Sequence, residues 1–427
     1  MGSSSSSTRR RTRPRLAAGL VAALALLLAA CTGTREPRPP TLLIVGAAPG
    51  GQPRLLLVED VTASALPGQP RLTVVPDSDR PLPAPAVALD FEDRGLERSA
   101  AWVLTREVAD EGGAPAVTAH LLRFRVSEVD PAEPTAFLED AARRVTLTTP
   151  AGGGVLDGLS PTAPATCPTA LQVDRSGTWA VVLDDPQVCG ATGHAEVWLV
   201  PLEEGTGGPS ALLGTQDLAP LAPYVDQRPL EERVYFFVSA IDRTHVYAAT
   251  LGSDAPAARL DALVLPQRAE DLVDAAGAGD LLVALADDEL LAVDVADPGP
   301  ATRADTVTGA FSVVVDPTGL APELLTVAES VVAFHEDVRD GTPDTALRPA
   351  VAATIDPLTR FAYAVGEGRI TVLDLLTGGQ TDRSFQSYTE PLAELELPAG
   401  APASLPGAST EPVTVIGWVR AATPPAP

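Results

Sequence analysis

The chain has 427 residues, 45% of them hydrophobic, and sets 56 acidic side chains against 30 basic ones for a formal charge of -26. Every basic residue is Arg; Lys and Asn are absent, and the single Met is the first residue. The missing ε-ammonium excludes Schiff-base enzymes and Walker-type phosphate loops, the missing Asn excludes N-glycosylation, and the acidic surplus argues against a nucleic-acid-binding face, which needs basic side chains to neutralise phosphates.

The first element is an export signal. Arg9, Arg10, Arg11, Arg13 and Arg15 form a positive region, with no acid before Glu36. Leu16 to Ala30 follow as an apolar run that ends at Cys31. That run is about 15 residues, short of the roughly 20 a permanent transmembrane helix needs.

Leu28-Ala29-Ala30-Cys31 closes the run and resembles the lipobox of bacterial lipoproteins. The resemblance implies cleavage of residues 1–30 and lipidation of Cys31 as the first mature residue. Thr32 stands where an Asp would favour inner-membrane retention. Removing residues 1–30 takes away five Arg and no acid, leaving 25 Arg against 56 acids and a formal charge of -31. Such a body is repelled by anionic headgroups. Residues 31–40 read as the lipidated Cys and a tether stiffened by Pro37, Pro39 and Pro40. The multiple acyl chains of a lipoprotein anchor firmly where one binds marginally. The expected location is the cell membrane or outer membrane, facing the periplasm or the exterior.

The body, 41–420, has no long helical pattern. Apolar residues alternate or run in blocks of four to eight, broken by Gly, Pro, Asp and Thr, which is the pattern of many short strands. Cys167 and Cys189 are the only thiols beyond Cys31. Outside the cytoplasm they are expected to form a disulfide. Ala170–Asp174 and Trp179–Asp184 read as two strands around the turn Arg175-Ser176-Gly177-Thr178, paired near Val173 and Trp179. That hairpin brings both Cys to its open end. Closing the loop contributes about 3 kcal/mol.

Four segments repeat a strand ending in Asp, a tight turn and a second strand: Gln172–Val181, Ala240–Ala248, Val314–Val327 and Thr354–Val365. Asp at the turn start bonds the backbone two residues on, and Pro presets the next dihedral. The last copy runs on through Gly366-Glu367-Gly368, the strand Arg369–Leu375 and Thr377-Gly378-Gly379. This 353–379 segment resembles a blade of the YVTN/quinoprotein-like β-propellers. Gly279–Leu285 with Glu289–Asp294 is a weaker copy. Trp102-Val103-Leu104 with His120–Val126 makes a further blade, and Glu196–Leu202 closes another.

The resemblance and the repeats predict an all-β chain, a β-propeller of about seven four-stranded blades. The competing architectures for such a pattern are a pair of β-sandwiches or an irregular β-solenoid. Blade starts are placed near residues 42, 88, 171, 239, 274, 312 and 353. Longer early intervals call for inserted loops at Ser127–Ala142 and Gly205–Pro229. A ring must close to hide its edges, so Thr41–Val45 and Val413–Val419 are expected to share a blade, reached through the linker Pro398–Glu411. Residues 421–427 read as a disordered tail.

The search for chemistry yields little. His120, His194, His245 and His335 are not paired at ligand spacing, and no Gly-x-Ser-x-Gly elbow occurs. Acids cluster at Asp184-Asp185, at Asp287-Asp288-Glu289 and in Asp337-Val338-Arg339-Asp340-Gly341-Thr342-Pro343-Asp344. In the last, Asp337, Asp340 and Asp344 supply hard oxygen ligands of the kind Ca²⁺ takes, at a spacing unlike the EF-hand loop. The expected function is a non-catalytic, membrane-anchored platform that binds an envelope protein. The alternatives are a metal-dependent lactonase-like hydrolase in the propeller channel and a small-solute or Ca²⁺-binding lipoprotein. Fold alone does not choose among them.

Overall fold

The structure, a computed structural model, describes residues 40–46, 52–60, 72–93, 98–111, 114–128, 136–148, 167–192, 195–202, 210–213, 224–226, 233–240, 243–251, 257–265, 272–278, 280–286, 289–315, 323–328, 331–338, 344–347, 350–356, 358, 361–366, 368–375, 393–397 and 415–419. All belong to one compact unit, Pro39–Pro427; Met1–Arg38 is a separate unit outside the described residues.

Seven small antiparallel sheets form the blades of a β-propeller. Blade 1 holds β1 (Thr41–Gly46), β2 (Arg54–Asp60), β3 (Leu72–Val74) and β4 (Arg80–Pro81). Blade 2 holds β5 (Ala86–Asp93), β6 (Arg98–Glu111), β7 (Ala114–Glu128) and β8 (Ala136–Thr148). Blade 3 holds β9 (Pro168–Val173), β10 (Trp179–Asp184), β11 (Glu196–Pro201) and β12 (Ser210–Leu213). Blade 4 holds β13 (Tyr224–Asp226), β14 (Arg233–Ala240), β15 (Arg243–Thr250) and β16 (Ala258–Leu265). Blade 5 holds β17 (Asp274–Ala278), β18 (Leu281–Ala286), β19 (Glu289–Asp294) and β20 (Thr302–Asp305). Blade 6 holds β21 (Ala310–Val315), β22 (Leu324–Ala328), β23 (Val331–His335) and β24 (Asp344–Leu347). Blade 7 holds β25 (Ala352–Asp356), β26 (Phe361–Gly366), β27 (Arg369–Asp374) and β28 (Ala393–Glu396). The last strand, β29 (Val415–Val419), returns to blade 1 and pairs with β1 from Thr41↔Val419 to Val45↔Val415.

The inner strands β29, β5, β9, β13, β17, β21 and β25 each touch the next around the ring. They begin on one face of the disc, here the entry face, and end on the other, the exit face. Because β1 is antiparallel to β29, Thr41 and Val419 both lie on the exit face.

Side chains alternate across a strand, and here both sides are buried. In β1, Leu42 and Ile44 face blade 7, while Leu43 and Val45 face blade 2. The same division repeats around the ring and gives seven apolar clusters, one per seam between blades. This explains near-continuous apolar runs such as Leu281–Ala286, buried at every position.

The seam between blades 7 and 1 exists only when β29 is in place. Trp418 is buried there and donates Nε1 to the Ile355 carbonyl at 2.6 Å. Tyr363 of β26 donates its hydroxyl to Asp60 at the end of β2, at 2.8 Å. On the other side of β29, the Arg98 guanidinium lies 4.2 Å from the Trp418 ring centroid and 5.2 Å from that of Phe91. Gly417 faces Phe91 so closely that a Cβ would collide with its ring.

Three expectations change. The Ala240–Ala248 copy is not a blade start: it is the hairpin between β14 and β15, the second and third strands of blade 4. That blade begins at Tyr224, fifteen residues before the expected 239, with a three-residue strand too short to show alternation. Ser127–Ala142 is no inserted loop but the end of β7 and half of β8, joined by 129–135. Likewise Gly205–Pro229 contains β12 and β13. The other six blade starts, the terminal-strand pairing and the Trp102/His120–Val126 blade stand as read.

Gly417→Val is expected to lower unfolding stability by about 3 kcal/mol, the range of an overpacked core. Phe91→Ala in the same chain should recover part of that loss. Urea denaturation of the three proteins measures both effects.

Candidate functional site

Blade 2 departs from the other six. Its three outer strands have 14, 15 and 13 residues, against eight or fewer in every other described strand. On the entry face, β5 stops at Ala86 opposite Thr105, and β8 stops at Thr148 opposite Ala119. Beyond those points β6 and β7 continue as a hairpin of five pairs, Glu107↔Thr118 to Glu111↔Ala114. Five pairs at about 3.4 Å each carry it about 17 Å past the ends of β5 and β8. Glu107 and Ala109 are exposed on it; Ala116 and Thr118 are half-buried.

The hairpin is braced against blade 3. Cys167 and Cys189 form a disulfide, with Cα atoms 5.9 Å apart, and Val108 and Val117 of the hairpin pack on it. Cys167 directly precedes β9, and Cys189 ends a short 3-10 turn, Pro186–Cys189. Asp185 caps that turn by accepting from the Gln187 amide at 3.0 Å. At the hairpin's base Arg106 is buried and donates Nη1 to the Pro168 carbonyl at 2.9 Å and to Cys167 Sγ at 3.3 Å. Burial pushes the Arg106 guanidinium below its usual range, and the Asp184 carboxylate opposes that shift. Asp184 Oδ1 also accepts from the Cys167 amide at 2.5 Å. A buried charge without such partners costs several kcal/mol, so the group locks blade 2 to blade 3 in one geometry.

Nearer the exit face, a buried ion pair ties the strands of blade 2 to one another. Glu92 is buried, accepts from Trp102 Nε1 at 2.9 Å, and takes Arg123 through Nε at 2.5 Å and Nη2 at 2.7 Å. Gly177 sits in the β9–β10 turn at φ 73°, where a Cβ would strike the Glu92 carboxyl. That turn is organised as the repeat implied: Asp174 accepts from the Ser176 amide at 3.1 Å, and its blade 7 counterpart Asp356 from the Leu358 amide at 3.2 Å.

Two acids of the inner strands tie neighbouring blades through backbone. Asp90 of β5 accepts from the Val173 amide of β9 at 2.5 Å. Asp274 of β17 accepts from the Val313 amide of β21 at 2.8 Å and from the Ala275 amide at 2.9 Å. Burial raises the Asp274 carboxyl to about 6 despite these donors.

Cys31 and His194 lie outside the described residues. Of the acids assigned to Ca²⁺, Asp340 also lies outside them; Asp337 follows β23 and Asp344 opens β24. Among the described residues no three His, Cys, Asp or Glu side chains converge as metal ligands. His120 is buried in β7, its Nε2 2.5 Å from Arg144 Nη2, and its carbonyl accepts from Thr105 Oγ1 at 3.4 Å. His335 is buried in β23 beside Thr306 Oγ1 and Thr326 Oγ1, at 3.3 and 3.4 Å from its Nε2. Burial lowers its imidazole to about 4. His245 lies in β15 opposite Val238. The residues sequence reasoning missed are Arg106, Asp184, Glu92 and Arg123. One signal was present: Trp102, Leu104, Arg106 and Val108 share one side of β6, so Arg106 stands on an apolar face.

No family model matches this chain, and no curated protein sequence matches it. Solved structures do. The structure of apo AztD from Citrobacter koseri aligns over 90% of this chain and 100% of its own, with 12% identity and a TM-score of 0.50. A second crystal structure of Citrobacter koseri AztD aligns over the same shares, with 13% identity and a TM-score of 0.50. A functionally unknown protein from Desulfotomaculum acetoxidans aligns over 89% of this chain and 99% of its own, at 8% identity and a TM-score of 0.49. At these identities the likeness is one of fold, a seven-bladed propeller.

Cys167→Ser with Cys189→Ser should cost about 2–5 kcal/mol in chemical denaturation. Two groups set opposed pH dependences. Native Asp274 holds its proton up to about 6 against 3.8 in the free group, so its contribution to stability falls as pH rises through that window. His335 takes up a proton at 6.5 when unfolded but only near 4 when native, so its contribution is complete above 6.5 and is lost as pH falls towards 4. Asp274→Asn should therefore steepen the loss of melting temperature between pH 6.5 and 4, and His335→Gln should flatten it. Melting curves across that range test both signs.

Proposed function

We propose that this chain is a lipid-anchored, extracytoplasmic propeller that binds an envelope protein through the β6–β7 hairpin and the entry-face surface around it. It performs no reaction of its own. The lipobox-like Leu28–Cys31 and the Pro-rich tether support the anchor. The YVTN-like blade at 353–379 supports a place among extracytoplasmic propellers. Buried polar groups support a rigid scaffold: Asp90, Asp274 and Arg106 each bond across a joint between blades.

The hairpin carries the reading. Ala109 is exposed, Ala116 is half-buried, and neither belongs to an apolar cluster that joins blades, yet the base beneath them is fixed by a disulfide and a buried Arg. A projecting element that the ring does not use, held still by interactions the ring does supply, is pre-organised for recognition. Val273 is the one large hydrophobic exposed among the described residues.

Ala109↔Ala116 is a pair of the same kind as Glu111↔Ala114, two positions nearer the tip, so Asp110–Pro115 can be replaced by an Asn-Gly turn without disturbing the register. That variant should melt within a few degrees of the parent. It should fail to retain the partner that the parent protein brings out of detergent-extracted native envelope. Retention of the same partner by the shortened hairpin would overturn the assignment.

A further inference from the structure

We infer that the partner is held by strand addition: it contributes an extended segment that pairs antiparallel with the open edge of β6 on the hairpin, at Val108 and Asp110. The inference rests on the partner reading of the hairpin and names how that partner is recognised. The phase of the ladder identifies the edge. Glu111 and Ala114 are paired with two residues between them, so they exchange both backbone hydrogen bonds. Alternation gives Ala109↔Ala116 and Glu107↔Thr118 the same form. It leaves Val108 and Asp110 with N–H and C=O directed away from β7. Arg106 agrees with this phase: its N–H points the same way and donates to the Pro85 carbonyl at 2.9 Å. The ladder with β5 ends there, because Pro85 has no N–H to return. The chain before it turns to blade 1, where buried Leu82 donates its amide to the Pro53 carbonyl at 2.8 Å. Among the described residues no strand takes the place beside Val108 and Asp110. Because β5 is the innermost strand of its blade, that open edge faces the ring axis.

The outer edges of the molecule are guarded. On β7, Pro115 stands at an outward-facing position, where its missing N–H leaves the hairpin intact and denies a donor to an approaching strand. The outermost strands of blades 1, 3, 5, 6 and 7 have only two to four residues. Those of blades 2 and 4 lose register against their neighbours. Short or irregular edges pair poorly with other chains. The twelve β6–β7 pairs run without a shift, and the disulfide behind Val108 holds them still. A regular, rigid edge is what strand addition uses. Side chains then define the added segment. Val108 is half-buried against Cys167 and Cys189, so the residue paired with it points to the same apolar side. The residues flanking that one point to the other side, beside exposed Glu107 and Ala109. Glu107, on a chain of formal charge -26, selects a basic residue opposite it. The same charge opposes a second copy of this chain as the donor of the strand. The occupant is an extended segment of another protein in which basic and apolar residues alternate.

The pairing has a signature in backbone hydrogen exchange, because only every second amide of β6 faces the added strand.

The test uses the full-length protein, with the envelope protein co-extracted on it and again after that protein has been dissociated, and reads exchange residue by residue. The Glu107, Ala109 and Glu111 amides, bonded to β7, should exchange slowly in both states. The Val108 and Asp110 amides should exchange fast in the free protein and about tenfold or more slowly in the complex. Val108→Pro removes only an outward N–H and should melt within a few degrees of the parent, yet bind the same protein about tenfold or more weakly. Val108→Thr keeps the N–H and should bind nearly as the parent does. Glu107→Arg should weaken binding severalfold. Should Val108→Pro fail to fold, the exchange pattern of the parent decides alone. A bound partner that leaves Val108 and Asp110 exchanging as in the free protein overturns strand addition and leaves the hairpin assignment standing. Protection that rises with the concentration of this protein alone puts a second copy on the edge and overturns the segment of another protein. If nothing is retained through the hairpin, the partner reading falls, and this inference with it.

Discussion

Everything in this propeller depends on one constraint: each blade buries both of its faces. A two-sided apolar sheet is not stable by itself, because at about 25 cal/mol per Å² either face left wet forfeits much of the driving force. Neighbouring blades therefore share cores, and the sharing closes on itself after seven steps. Closure consumes the apolar surface. The chain as a whole is strongly acidic, which favours its staying dispersed.

Several buried charges sit at the joints. Arg106 beside Asp184, and the amide-bound Asp90 and Asp274, lie where one blade meets the next. Buried pairs of this kind add little net stability but penalise every wrong alignment, because a displaced partner leaves a desolvated charge. Apolar contact holds the ring together, and these polar contacts fix how its blades register. The functional reading comes from the one place where sevenfold regularity fails, the long strands of blade 2, and not from distant likeness to other propellers.

Much of this was legible in the sequence. Two-sided burial writes itself as apolar runs, so strand positions and six of seven blade starts could be read directly. The terminal pairing followed from the need to hide edges, and the disulfide from a hairpin whose register proved close: Ala180 lies opposite Val173. Blade 4 was misplaced because an Asp-headed turn joins strands equally well at either end of a blade. β13 offers only Tyr224-Val225-Asp226 to mark the true start. The end of β7 and the first half of β8, Ser127–Ala142, read as an inserted loop because Pro131, Pro134 and several acids interrupt the pattern between them. Contacts between blades are tertiary facts with no local sequence mark. Arg106 and Pro168, sixty-two positions apart, could not be matched from the chain alone.

The pairing of β29 with β1 also dictates an order of events. Leu42 and Trp418 are opposed in the ladder although nearly the whole chain separates them. Such a contact carries the largest loop-closure entropy the molecule has, and topologies dominated by such contacts fold slowly. A chain synthesised from its N-terminus presents β1 first and β29 last. Until the final strand arrives, β1 has an open inner edge and a bare flank where Trp418 and Ile416 belong. Such an edge is a template for pairing with other chains. The newly emerged protein thus passes through a long interval as an unclosed arc, in which its survival depends on whatever shields that edge.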